Sequence, residues 1–273
     1  MKVFVYGTLL KGMERASTLI NSIYLGPAII KGEIFDLGNY PGIKKGDNTV
    51  IGELYEVDNK TIELLDYIEG YNKHEKSSSL YIREETEVYK FSDGQPCKGF
   101  TYFYNNQING NKISHGDYRR YLLEQKNREQ WIIAYGSNIG TDRLIERVGE
   151  IKEYKKGSIS NFKLIFNKQG GSNKTVYANI IYTGDNKRCP AVAYKLSPEQ
   201  ILQLDTYEGV PDHYSRISIL FYDDFDNDRV MQVYIANPNK LVWGIPPEHK
   251  YLNYIETGYK EHGFSLEKLY NEI

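Results

Sequence analysis

GELYEVDNKTIELLDYIEGY, residues 52–71, lines up without a gap against AVAYKLSPEQILQLDTYEGV, residues 191–210. Each stretch reads as a strand ending in tyrosine, then a short amphipathic segment, then Asp-x-x-Glu-Gly. Upstream, VFVYGTLLKG (3–12) answers IIAYGSNIG (132–140). Downstream, LYIREETEVY (80–89) answers HYSRISILFY (213–222), and GFTYFY (99–104) answers MQVYIA (231–236). Four blocks recurring in one order mean a duplication, and a duplication decides the fold before any single motif does. Tyr6 and Tyr135 lie 129 positions apart, Tyr55 and Tyr194 139 apart, so the second copy carries about ten extra residues between these points, expected in loops.

The charged segment LEQKNREQ (123–130) has the composition of a helix end plus linker, which predicts domains at 1–127 and 128–273. At 273 residues and 40% hydrophobic content, two ordinary cores can be filled. Thirty-four basic and 36 acidic residues are mixed along the chain with no run of either sign, so no broad positive field is present and nucleic acid is not an expected partner. No stretch of about 18 apolar residues predicts a spanning helix, and no membrane partner is expected. Two cysteines, Cys97 and Cys189, read as reduced thiols, and with no signal-peptide core at the N-terminus a cytoplasmic location is expected. The Asn-Lys-Thr triplets at Asn59 and Asn173 carry no information in that setting. The 25 tyrosines suit strands, with an apolar body and a wet hydroxyl.

VFVY and WIIAY are short β-branched and aromatic runs that stop at glycine, as a buried strand does at its turn. Ser137 or Thr141 then offers a helix cap, with Leu144, Ile145 and Val148 on one face. In SPEQILQLDTYEG, Ser197 is the expected cap, Pro198 the first helical residue and Gln200 the closing member of a capping box. Ile201, Leu204 and Tyr207 form the predicted buried stripe and Gly209 the stop. The first copy has Asp58 as cap, Ile62, Leu65 and Ile68 as stripe, and Gly70 as stop. Strands are predicted at 28–36, 50–57, 80–91, 97–104, 162–167, 175–182, 191–196, 214–222 and 229–235. The glycine-rich QGGSNKT (169–175) lacks P-loop spacing and reads as a hairpin loop. Each domain is therefore α+β, a mixed sheet curling toward a barrel with a few short helices.

Glu69 and Glu208 stand in the last turn of their helices, immediately before the terminal glycine. The partial negative charge of a helix C-terminus opposes a carboxylate there, and with aromatic neighbours such as Tyr207 the carboxyl pKa is expected to rise toward that of a general base. An exposed glutamate that merely tolerates its place is the competing reading. The YGTL and YGSN turns can present backbone amides to a carboxylate or oxyanion, or be ordinary glycine turns. The five histidines show no metal-ligand spacing, and no G-x-S-x-G elbow serves Ser137, so no metal and no cofactor is assigned.

The combination of YG[ST][NL] on a first strand, LD-x-x-EG at mid-domain and Tyr-x-Arg beyond it resembles the γ-glutamylcyclotransferase superfamily. Its second copy, with YGSN and the ending EHKYLNYIETGYKEHGFS (248–265), is similar to the γ-glutamyl cyclotransferases proper. The first copy, with YGTL, is similar to the γ-glutamylamine cyclotransferase and AIG2-like branch, which includes an enzyme that removes a γ-glutamyl protecting group in antibiotic biosynthesis. The resemblance implies two small β-barrels flanked by helices that release 5-oxoproline from γ-glutamyl compounds without metal or cofactor. It implies that Tyr135, Gly136, Ser137 and Asn138 cradle the γ-glutamyl moiety with Glu208 as acid/base, and that Tyr6, Gly7, Thr8 and Leu9 do so with Glu69. Tyr234 and Tyr102 are implied pocket residues. Leu9 stands where the second copy has the polar Asn138, so the two pockets are expected to differ in substrate or one of them to be weak, the second being the better equipped. The two domains are expected to pack on each other. A binding module that senses a γ-glutamyl or amino-acid ligand with two related pockets is the alternative, and a pair of halves with one dead site a third.

Overall fold

The computed structural model describes residues 1–172 and 174–271. It divides into two compact units, Met1–Lys90 with Gln95–Leu122, and Phe91–Gly94 with Leu123 onward.

In the first unit the strands are β1 (Lys2–Val5), β2 (Ile23–Asp36), β3 (Pro41–Glu56), β4 (Tyr81–Lys90), β5 (Pro96–Tyr104) and the short β6 (Asn111–Lys112). Helix α1 (Asn59–Ile68) follows β3, and α2 (Tyr118–Lys126) ends the copy. The sheet runs β3-β1-β5-β4-β2, and β2 pairs back onto β3 to close the ring. Only β1 and β5 run parallel, in register Val3 to Phe100. Val3, Phe4, Leu54 and Val88 are fully buried, each removing apolar surface from water for about 1.5 to 3 kcal/mol of stabilisation.

The second unit repeats this ring as a closed barrel in the order β11-β7-β13-β12-β8. Its strands are β7 (Gln130–Ala134), β8 (Tyr154–Ser160), β11 (Arg188–Leu196), β12 (Tyr214–Asp223) and β13 (Asp228–Ala236), and a separate hairpin is formed by β9 (Phe162–Gln169) and β10 (Val176–Tyr182). The parallel pair is again the first strand with the last, Ile133 opposite Val233. Helices α3 (Thr141–Val148), α4 (Pro198–Glu208), α5 (His249–His262) and α6 (Leu266–Tyr270) complete it. The α+β class and the doubled mixed barrel thus stand as expected.

The extra length of the second copy lies mostly in turns, as expected: only residues 37–40 interrupt β2 and β3, whereas 161, 170–172, 174–175 and 183–187 lie outside the strands between β8 and β11. Tyr24 pairs with Tyr55, 31 residues on, whereas Tyr154 pairs with Tyr194, 40 residues on; the difference falls where β9 and β10 form their own hairpin. QGGSNKT is that hairpin's turn, with Gln169 opposite Val176, although Asn173 and its triplet lie outside the described residues. Strand β8 went unread because Lys155, Lys156 and two serines mask an alternation in which Gly157 and Ile159 are buried. β3 starts at Pro41, well before residue 50, because the polar KKGDNT is carried by pairing to β2. Cys97 and Cys189 are free thiols.

Helix α4 starts as its sequence predicts. The Ser197 hydroxyl accepts from the Gln200 amide, the Gln200 side chain accepts from the Ser197 amide, and Pro198 occupies the first turn. Asp58 caps α1 through the Thr61 amide at 2.7 Å. Gly70 and Gly209 end the two helices at φ of 60° and 65°, a left-handed conformation that favours glycine. Two details differ. Neither Ser137 nor Thr141 caps α3: Gly140 holds the cap position, and the Thr141 amide donates instead to Glu261 Oε2 on α5 at 3.0 Å. Tyr207 is 59% exposed and Ile145 39%, so each falls off its predicted buried stripe.

Two candidate active sites

Every residue singled out in the first copy lines one cavity of about 180 Å³: Tyr6, Gly7, Thr8, Leu9, Glu69 and Tyr102. The corresponding Tyr135, Gly136, Ser137, Asn138, Glu208 and Tyr234 line a second, of only about 40 Å³. The strand-to-helix turn and the mid-domain glutamate, some 60 to 70 residues apart, meet because β1 and β3, and likewise β7 and β11, are neighbours in their barrels.

A common frame holds both sites. Tyr6 Oη donates to the Tyr102 carbonyl at 2.6 Å, and Tyr135 Oη to the Tyr234 carbonyl at 2.6 Å. The Tyr102 hydroxyl in turn donates to Asp66 Oδ1 at 2.8 Å, and that of Tyr234 to Asp205 Oδ1 at 2.7 Å. Arg83 clamps Asp66 at 2.8 and 2.7 Å, as Arg216 clamps Asp205 at 2.8 and 2.9 Å. Each aspartate sits one turn before its glutamate, so the chain from Arg through Asp to Tyr fixes the end of the helix to the barrel strands that form the pocket wall. The sequence carried this signal: Asp66, Asp205, Arg83 and Arg216 all belong to the repeated blocks, and their pairing is what the Tyr-x-Arg spacing accomplishes. Tyr81 and Tyr214, from the same blocks, also line the cavities and donate to the carbonyls of Pro41 and Ala178 at 2.7 Å each.

The two carboxyls sit in different surroundings. Burial pushes the Glu69 carboxyl up to about 7, with only the charge of Arg15 pulling against it. The Glu208 carboxyl is also raised by burial, but Arg147, Asn138 and Lys168 all oppose the rise. Asn138 Nδ2 donates to Glu208 Oε1 at 2.8 Å, Arg147 Nη1 reaches the same oxygen at 3.1 Å, and Arg147 also donates to Asn138 Oδ1 at 2.8 Å. In both sites burial is the leading cause of the shift; the exposed Tyr207 instead packs its ring at 5.1 Å from the Arg147 guanidinium.

Tyr251, on α5, narrows the second site. Its hydroxyl accepts from the Ala178 amide at 3.1 Å and shares a hydrogen bond with Ser137. Its ring lies edge-on to Phe166 and Tyr177. Helix α5 is held against the turn after YGSN at Gly258, where a Cβ would fall 2.5 Å from Ile139 Cγ2, so any larger residue would push the helix away. Tyr251 and Arg147 were not legible as site residues, because nothing in their local sequence ties them to Glu208.

With this geometry in view, comparison with known proteins is direct. The family described as gamma-glutamyl cyclotransferase, AIG2-like, matches residues 3–120 and 132–258, and the chain belongs to that family. It is 35% identical over 105 residues to the gamma-L-glutamyl-butirosin B gamma-glutamyl cyclotransferase of Niallia circulans, which covers 38% of this chain and 66% of the relative. It is 39% identical over 67 residues to the gamma-glutamylcyclotransferase family protein YtfP of Escherichia coli K12, covering 24% of this chain and 59% of the relative. The matched segments thus span about three-fifths to two-thirds of these relatives' own length. The crystal structure of YkqA from Bacillus subtilis shares the fold at 21% identity, with a TM-score of 0.75 over 95% of this chain and 91% of that one. Family and relatives together support a function of the γ-glutamyl cyclotransferase type.

Proposed function

We propose that the protein is a γ-glutamyl cyclotransferase that releases 5-oxoproline and a free amine, and that the first copy carries the activity. The observation that bears most weight is Glu69: a carboxyl raised to about 7 by burial, lining a cavity with the Gly7-Thr8-Leu9 turn. A base poised near neutral pH is what the reaction needs. Glu69 accepts a proton from the substrate α-ammonium, and the freed nitrogen forms a bond to the γ-carbonyl carbon, closing a five-membered ring. Glu69 returns its proton to the original amide nitrogen, which the tetrahedral intermediate expels as the free amine, and the second proton, lost by the ring nitrogen, passes to that amine so that a neutral lactam remains. Attack is intramolecular, so the cavity has only to hold the substrate in a near-attack rotamer. Backbone amides of the YGTL turn are the proposed donors to the developing oxyanion.

In this reading Tyr6 positions rather than binds, since its hydroxyl is engaged by the Tyr102 carbonyl. Glu208 is the weaker candidate, contrary to the expectation drawn from Asn138: its carboxylate is held by an arginine and an amide, and Tyr251 takes up the space a substrate would need. That favours a non-catalytic second copy. Incubation with a panel of γ-glutamyl compounds, following 5-oxoproline by mass, tests the proposal. Recovery of every compound intact would overturn it in favour of a binding protein. The whole reaction sits within a chain in which no described helix is long and apolar enough to cross a membrane.

A further inference from the structure

Among the described residues lining the first cavity there is one cation, Arg15. It is exposed, so it stands at the solvent edge of the cavity rather than at its floor. The Arg15 amide donates to the Thr8 carbonyl at 2.9 Å, which ties its backbone to the turn of YGTL. No carboxylate among the described residues lies within ion-pair distance of its guanidinium, yet its charge reaches Glu69. Apart from Thr8, the rest of the lining is apolar, glycine or tyrosine, and Glu69 is the one acid among its described residues. At about 180 Å³ the cavity is below the range that encloses drug-sized ligands, so it takes in a small polar group and leaves the remainder of a substrate at the mouth.

Resting on the cyclotransferase reading of this site, we propose that Arg15 determines specificity by pairing with a carboxylate on the departing amine, so that the first copy acts on γ-glutamyl amino acids in preference to γ-glutamyl derivatives of uncharged or cationic amines. The reacting γ-carbonyl has to approach Glu69 inside the cavity, and the departing nitrogen has to leave toward solvent, past Arg15. A carboxylate one carbon from that nitrogen meets the guanidinium there. A cationic leaving group meets like charge at the same place, which selects against it.

The test compares γ-glutamyl-alanine with γ-glutamyl-ethylamide, which differ only by that carboxylate. The native protein is expected to favour the first in kcat/KM by about fivefold, the upper end for an ion pair at a solvent-exposed edge. R15A should lose that preference by slowing turnover of γ-glutamyl-alanine while changing the ethylamide less than about threefold, and R15K should keep part of it. The ratio between substrates cancels any change in the ionisation of Glu69. An equal loss on both compounds, or none on either, overturns the inference, because Arg15 would then serve the γ-glutamyl group or nothing. Calorimetric binding to E69Q and to the double variant E69Q/R15A separates this from the parent reading. If no 5-oxoproline is released but E69Q still discriminates the two compounds through Arg15, the cyclotransferase reading fails and the carboxylate site stands; if E69Q binds them equally, the carboxylate site fails.

Discussion

Asn138 Nδ2 lies 2.8 Å from Glu208 Oε1, and the residue at the equivalent place in the first copy is Leu9, which is buried in the core of its own barrel and gives Glu69 no such donor. Burial raises both carboxyls, and this one difference between duplicates gives Glu208 a donor that opposes the rise and leaves Glu69 without it. The polar residue that made the second copy look better equipped is spent on restraining its glutamate.

Replacing Glu69 by Gln should reduce 5-oxoproline release by at least about a hundredfold, the usual contribution of a positioned acid/base. E208Q should leave most of the activity. Single-turnover assays of both variants against the same substrate check this, and equal losses would contradict the assignment to the first copy.

The pH profile of kcat/KM should show an acid limb near pH 7. Glu69 must be ionised to accept a proton, and its carboxyl is pushed up to about 7. Removing Arg15 takes away the one charge that pulls this value down, so in R15A the limb should move to higher pH. A limb that stays near the ordinary carboxylate range of about 4 to 5 would show that Glu69 is not the titrating base.

The same shift has a stability consequence with a definite sign. A carboxyl raised in the folded state binds its proton more tightly there than in the unfolded chain, so its contribution to stability is complete below about pH 4.5. It is lost as pH rises through about 7. Relative to the native protein, E69Q should be equally stable at acid pH and more stable at pH 8, by on the order of 2 to 3 kcal/mol if the first copy unfolds as a unit. Denaturant titrations of both proteins at pH 5 and 8 read the difference directly.

Arg83 clamps Asp66 with both side chains about one-fifth exposed. R83A should leave the aspartate without its partner and cost about 1 to 3 kcal/mol of stability. Because Asp66 also receives the Tyr102 hydroxyl, the helix end carrying Glu69 should shift and kcat should fall. Y102F removes a single hydrogen bond and should cost less, about 0.5 to 1.5 kcal/mol. A thermal-unfolding series across the two variants would refute the shared frame if Y102F proved the more damaging.

The local rules recovered most of the framework. Ser197, Pro198 and Gln200 announced the start of α4 because a capping box is closed by residues three apart. Gly70 and Gly209 announced the stops for an equally local reason. Strand β8 escaped because its buried alternation runs through a glycine beside two lysines and two serines, and α3 escaped its predicted cap because the acceptor for its first amide, Glu261 Oε2, is on α5, 120 residues away. The turn and glutamate of each cavity could be named because duplication repeated them in register and the family resemblance implied their roles, whereas Tyr251 in the second cavity has no counterpart signal in the sequence.

By itself, then, the sequence determined that there are two copies of one fold, where most of their strands and the two glutamate-bearing helices run, and which tyrosine-glycine turn and glutamate belong to each copy, since these follow from periodicity, caps and repetition along the chain. Only the tertiary structure decided how the two carboxyls differ. Arg147, Asn138 and Tyr251 reach Glu208 from separate elements, while Glu69 faces a larger cavity with Arg15 alone at its edge. The protonation of a buried acid depends on which charges and dipoles lie within a few ångströms, and that distance is set by the closure of the sheet and the docking of helices, not by spacing in the chain.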